Sequence, residues 1–157
     1  MTNRIKLDTK DKQILKILQA DGRITNAQLA IDVGLSPAPT LERVKKLEKL
    51  GVIESYHARL NQAAIGLGVS TFVKVTLKSH NKEAINRFAS EMQKVDEVVE
   101  CHHTTGTADF MLKVVAKDIP AYQELMLEKI TEILDINEIE SMVVLSTLKD
   151  SRTVPVP

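Results

Sequence analysis

Cys101, His102 and His103 stand together in "EVVECHH", and a cysteine beside two histidines is the raw material of a zinc site. The run reads as a strand, where neighbouring side chains alternate, so Cys101 and His103 share a face while His102 points away. At most two ligands converge, whereas a structural zinc takes four, so a core or interface placement is the ordinary reading and no metal is expected. Directly afterwards comes "TTGTADF", with Thr104, Thr105, Gly106, Thr107, Ala108 and Asp109 in succession. Gly106 supplies unusual dihedrals and Asp109 can cap a turn, so on residues alone the stretch is either a plain turn or a ligand site. Catalytic chemistry has little support elsewhere. The chain shows no nucleophile elbow, no phosphate-binding glycine loop and no paired metal ligands, and its many carboxylates fall on solvated helix faces.

A third stretch, "GLSPAPTLERVKKLEKLGVI" (34–53), carries basic chemistry. Leu41, Val44, Leu47 and Leu50 recur at three-residue steps and read as one helical face, opposite Arg43, Lys45, Lys46 and Lys49. Ser36 is placed as N-cap, which makes Pro37 the first helical residue and Pro39 the third, where backbone N–H groups have no intrahelical partner to lose. Pro39 stiffens Ala38, giving a rigid, donor-poor helix start suited to insertion. The expected DNA contacts are Ser36, Pro37, Ala38 and Thr40 at that start, Thr25 at the start of the preceding helix, and Arg43 and Lys46. The last two lie nearer the N-terminal half that a recognition helix presents to base edges. Lys49, at the C-terminal end, suits the helix dipole instead.

These stretches need elements to hold them. "DTKDKQILKILQA" (8–20) puts Ile14, Leu15, Ile17 and Leu18 on one stripe, with Asp8 as N-cap. Thr25 and Gln28 have capping-box spacing ahead of a short helix that ends at Gly34, so Gly34 and Leu35 form the turn of a helix-turn-helix. After Gly51, "VIESYHARL" alternates like a strand or wing. Beyond residue 61 strands and helices take turns. "VSTFVKVTLK", "EVVECHH", "DFMLKVVAK" and "EIESMVVLSTLK" read as strands, and "NKEAINRFASEMQKV" and "IPAYQELMLEKITEIL" as amphipathic helices. The order is βαββαβ, a ferredoxin-like unit. Two helices cover one sheet face only. Apolar residues nevertheless occupy both, Phe110, Leu112 and Val114 on one and Met111 and Val115 on the other, so a homo-oligomer is inferred.

The fold class is therefore α+β, with a winged-helix-like helix-turn-helix domain over residues 1–61 and a ferredoxin-like βαββαβ domain over 62–157. Charge divides at the same place. Formal net charge is zero, yet residues 1–61 hold 11 Lys or Arg against 7 Asp or Glu, and residues 62–157 hold 10 against 14. A basic front and an acidic back direct only the front to a polyanion. The absence of Trp and the few other aromatics argue against stacking on single strands. One cysteine excludes a disulfide framework, no run approaches the roughly 20 apolar residues of a membrane span, and the first residues lack a secretory core. A cytoplasmic protein with no membrane partner is expected.

Taken together, "LDTKDKQILKILQADGRITNAQLAIDVGLSPAPTLERVKKLEKLGVI" and "TTGTADF" within βαββαβ resemble the Lrp/AsnC, or feast/famine, family across nearly the whole chain. The resemblance implies a non-enzymatic transcriptional regulator that binds double-stranded DNA, dimerises, assembles further to an octamer and responds to an amino acid, with no other cofactor. It makes 104–109 the effector site. Backbone N–H groups at Thr105 to Ala108 would meet the effector carboxylate, Asp109 its ammonium, and Thr104, Thr105 and Thr107 would add hydroxyls. The alternative is a metabolite-sensing module or small enzyme of ferredoxin-like form whose N-terminal helices only mediate association.

Overall fold

The structure, a computed structural model, describes residues 5–151 and 153–157. Its contacts divide the chain into two units, Met1–Arg59 with Lys149–Pro157, and Leu60–Leu148. The C-terminal tail thus belongs with the first unit and not with the βαββαβ unit that the 62–157 boundary assigns it to.

In the first unit α1 (Thr9–Ala20) starts at a reciprocal cap. The Asp11 amide donates to the Asp8 carboxylate at 2.8 Å, and the Asp8 amide donates to the Asp11 carboxylate at 3.3 Å. In α2 (Asn26–Val33), Thr25 Oγ1 accepts from the Gln28 amide at 3.2 Å, but the Gln28 side chain turns to Asp32 at 2.7 Å instead of closing the box. Gly34 ends α2 at φ +65°, and after one residue Ser36 begins α3 (Pro37–Lys49). Ile14, Leu15, Leu29, Val33 and Leu47 form the small core.

Two expectations fail in this unit. Leu41 and Leu50 are exposed, and only Leu47 of the expected face is fully buried. Three-residue steps rotate about 60° short of a full turn each time, so four such residues spread over half the circumference, and the true buried stripe is Thr40, Val44 and Leu47. The "VIESYHARL" segment forms no strand, since no second strand pairs with it among the described residues. Tyr56 instead donates to Glu48 at 3.1 Å. The tail packs here: Gln19 accepts from the Val154 amide at 2.7 Å and donates to the Val154 carbonyl at 3.2 Å, Val156 adds to the core, and Arg59 meets Asp150 at 2.9 Å.

The second unit is a four-stranded antiparallel sheet, β1 (Val69–Leu77), β2 (Val98–His103), β3 (Phe110–Ala116) and β4 (Ile136–Val143), in the order β2-β3-β1-β4. Helices α4 (Lys82–Met92) and α5 (Ile119–Leu125) are capped by Asn81 and Asp118, each accepting an amide at 2.8 Å. They cover Val73, Val75, Leu77, Phe110, Leu112 and Val114. The other face carries Phe72 opposite Met142 and, one strand over, half-buried Met111 and buried Val115. Ion pairs Lys74–Glu140 at 3.0 Å and Lys113–Glu100 at 3.2 Å interrupt it. The last helix departs from expectation, because α5 widens into a π-turn (Met126–Ile130) and Leu134 is 70% exposed. The fourth strand begins two residues earlier than "EIESMVVLSTLK" and stops at Val143, leaving Leu145 and Leu148 almost wholly exposed.

Candidate nucleic-acid interface and effector loop

At the mouth of α3 the two prolines leave an unusual chemistry. An N-cap hydroxyl ordinarily accepts from the amide of the second or third helical residue, but Pro39 has no N–H, and the Ser36 hydroxyl makes no cap bond. Its carbonyl instead takes both the Thr40 amide at 3.3 Å and the Thr40 hydroxyl at 3.0 Å. What remains free at this end is the Ser36 hydroxyl and the Ala38 amide, both exposed. Asn26 donates from its side chain to the Pro37 carbonyl at 2.8 Å, which ties the start of α2 to the start of α3. The structure thereby brings exposed Thr25, Ser36, Pro37 and Ala38 to one end of the motif.

Two of the expected DNA residues are placed otherwise. Thr40 has no exposed surface, and its hydroxyl is committed to Ser36, so it cannot touch a duplex. Arg43 donates through Nη1 to Asp8 at 2.6 Å and to Asp11 at 2.7 Å. The Asp11 amide and then the Arg43 guanidinium hold the Asp8 carboxyl below the usual carboxylate range, while Asp8 and Asp11 raise Arg43 further. Lys46 is exposed, and so is Lys45, which is not among the DNA contacts expected from sequence. At 100° per residue these two lysines lie about 50° to either side of the line opposite Thr40–Val44–Leu47, with Ala38 and Glu42 close to that line. The signal that identifies Lys45 is the correct buried stripe.

In the effector loop Gly106 sits at φ +119°, a conformation side chains rarely adopt, and nothing would crowd a Cβ there, so dihedral and not space requires glycine. Thr105, Gly106 and Thr107 are exposed. Thr104 is turned inward, donating its hydroxyl to the Ala108 carbonyl at 3.0 Å and its amide to the Asp109 carbonyl at 2.8 Å. Asp109 is likewise committed. One carboxylate oxygen accepts the Leu77 amide at 2.7 Å, the other meets His80 Nδ1 at 2.7 Å, and its side chain is only 16% exposed. Burial pulls this carboxyl upward, yet the Leu77 amide and the His80 ring outweigh it and hold it below its ordinary value. The expected ammonium acceptor is thus a pin between the loop and the end of β1. No sequence signal couples His80 to this loop, because it lies 29 residues from Asp109 and only the register of β1 with β3 brings them together.

Next to the loop, Cys101 pairs across the sheet with Leu112 and His103 with Phe110, whose ring lies 5.1 Å from the imidazole, while His102 turns to Glu100 at 3.3 Å. Among the described residues no three His, Cys, Asp or Glu side chains gather as a metal site would need. No described helix is long and apolar enough to cross a membrane.

Comparison with known proteins identifies the domains that carry these stretches. Residues 7–54 match the winged helix-turn-helix DNA-binding family, and residues 70–154 match the Lrp/AsnC ligand binding domain. The leucine-responsive regulatory protein of Escherichia coli K12 is 39% identical over 145 residues, 92% of this chain and 88% of that one. A Neisseria meningitidis transcriptional regulator solved as a complex with L-Met is 33% identical, with a TM-score of 0.91 over 96% of this chain and 97% of that one. E. coli AsnC is 30% identical, with a TM-score of 0.87 over 96% of this chain and 99% of that one. With a helix-turn-helix motif ahead of a βαββαβ ligand-binding unit, and matched over 92% and 96% of its length by such regulators, this chain belongs to the Lrp/AsnC family of DNA-binding, ligand-responsive transcriptional regulators.

Proposed function

We propose that the protein acts as a homodimer or larger assembly that grips two half-sites on duplex DNA, spaced by about one helical turn or a multiple of it, and releases or tightens that grip when a free amino acid binds. The observation that carries this reading is the mouth of α3, where Thr25, Ser36, Pro37 and Ala38 are exposed together on a rigid, basic motif. Exposed Lys46 and Lys45, to either side of the outward line of α3, support the reading as cations available to phosphates. No catalytic activity is proposed, and the relatives are named as regulators. A cytoplasmic site of action suits a DNA-binding regulator with a single cysteine.

The effector reading rests on the exposed Thr105–Thr107 segment, the match to a ligand binding domain and the L-Met complex of the Neisseria neighbour. The segment's amides suit a carboxylate, and the shortage of free charge in it favours a neutral, apolar amino acid. Because Asp109 is held by Leu77 and His80, the ammonium is assigned to acceptors contributed by a neighbouring copy. That copy is placed on the open sheet face of Phe72, Met111 and Met142, whose burial would supply the association energy. Further assembly to an octamer accords with the family. Binding at such an interface shifts DNA affinity by favouring one assembly over another.

The test is a thermal-shift screen of the twenty amino acids on the full chain, followed by selection of bound DNA sequences with and without the hit. A neutral amino acid that stabilises the protein and changes its DNA affinity is expected. No stabilising hit at millimolar ligand removes the effector reading, and failure to enrich any duplex removes the DNA reading. Light scattering of Phe72→Glu, expected to dissociate the dimer, checks the assembly face.

A further inference from the structure

We infer that Arg43 governs DNA binding at one remove, as the strut that sets the tilt of α3, and that Lys45 and Lys46 make the phosphate contacts of that helix; the inference rests on the DNA-binding reading above. Arg43 Nη1 reaches both Asp8 and Asp11, the two halves of the cap that starts α1. One guanidinium nitrogen therefore fastens the middle of α3 to the first turn of α1. Asp11 is 4% exposed, and a carboxylate so buried requires a cationic partner. One turn further on Leu47 joins Ile14 and Leu15 in the core, so α3 is held to α1 at two levels, ionic at its middle and apolar toward its C-terminal end.

Charge and direction both argue against a phosphate contact by Arg43. Two carboxylates facing one guanidinium leave the trio with a formal charge of −1, which repels a polyanion. On the wheel of α3, Arg43 stands about 110° from the outward line, roughly twice as far round as Lys45 or Lys46. Those two lysines are exposed and form no ion pair among the described residues.

The experiment measures affinity of the full chain for a labelled mixed-sequence duplex by anisotropy, between about 50 and 200 mM salt, for wild type, Arg43→Gln, Lys45→Gln, Asp8→Asn/Asp11→Asn and the triple variant carrying Arg43→Gln. Removing one cation from a DNA phosphate lowers the slope of log K against log salt by about 0.9. Lys45→Gln is expected to flatten the slope by that amount. Arg43→Gln is expected to weaken binding about tenfold with the slope unchanged, and to add less than about twofold in the Asp8→Asn/Asp11→Asn background, since the strut is already gone there. Should Arg43→Gln fail to fold, the equally neutral Arg43→Met carries the same two readouts. A flattened slope for the Arg43 variant, an equal loss in both backgrounds or an unchanged affinity overturns the positioning role. Absence of any salt-dependent duplex binding by wild type overturns instead the DNA reading on which it rests.

Discussion

Asp109→Ala is expected to destabilise the C-terminal unit by about 2–3 kcal/mol, because it cuts the pin between the effector loop and the end of β1. The larger share comes from the Leu77 amide, part-buried and 2.7 Å from the carboxylate, which loses its acceptor; a donor stranded in this way costs about 1–3 kcal/mol. The His80 interaction adds at most about 1 kcal/mol, since that ring is 67% exposed and solvent screens the contact. Asp109→Asn, which keeps a carbonyl oxygen for the amide, should lose about 1 kcal/mol. The sign with pH follows from the depressed carboxyl. The charge-dependent part of its contribution is fully present above the ordinary carboxylate range and is lost as pH falls through the lowered native value, so below about pH 4 the gap between wild type and Asp109→Ala should narrow by about 1 kcal/mol, toward the gap between Asp109→Asn and Asp109→Ala. Urea unfolding of the full chain at about pH 7 and about pH 3.5, with hydrogen exchange at the Leu77 amide as the local probe, measures both. A loss under about 0.5 kcal/mol near neutral pH, or a gap that widens in acid, refutes the reasoning. The same bonds change how the variant is used in ligand screening: an effector lost in Asp109→Ala but kept in Asp109→Asn reports the loop's shape, not a direct bond to the effector.

Thr40→Val should leave DNA affinity and its salt slope unchanged in anisotropy, at a cost of about 1 kcal/mol in stability for the lost Ser36 bond, because the residue has no exposed surface. Truncation after Leu148 should lower the stability of the helix-turn-helix unit by about 1–3 kcal/mol in thermal unfolding, as it removes the Val154 bonds to Gln19 and the packing of Val156; Gln19→Ala should reproduce part of that loss. Asp135 adopts φ +75°, so Asp135→Gly should stay within about 0.5 kcal/mol of wild type, whereas Asp135→Val should lose about 2 kcal/mol in the same assay.

Much of the architecture is legible because it is local. Asp8, Thr25 and Gly34 act on residues within one turn of themselves, and the βαββαβ alternation of Val73, Val75 and Leu77 with Phe110, Leu112 and Val114 needs only period two and one sheet. The end of β4 and the strand expected after Gly51 are not local. Each depends on whether a partner strand lies alongside, and no periodicity encodes that. Leu145 and Leu148 continue the apolar pattern of "EIESMVVLSTLK" although pairing with β1 stops at Val143.

The sites divide along the same line, and for one electrostatic reason. Sequence places a charge on an element but does not say which opposite charge the fold brings to it. Arg43 lies 32 residues from Asp11, and Asp109 lies 29 from His80, so both read as free until α3 meets α1 and β3 meets β1. Those two are the residues in which DNA and effector chemistry are most readily sought, a basic group midway along α3 and an acid in the glycine turn. Each is taken up in holding its neighbouring segment in place. The groups left to meet a ligand are less conspicuous in the sequence: a cap hydroxyl that Pro39 deprives of its amide, two lysines flanking the line opposite a stripe that passes through a threonine, and the exposed residues around Gly106. A charged side chain buried enough to be ordered is, by the cost of its desolvation, already paired within the chain, so the side chains free for DNA or effector are to be sought among exposed residues beside such pairs.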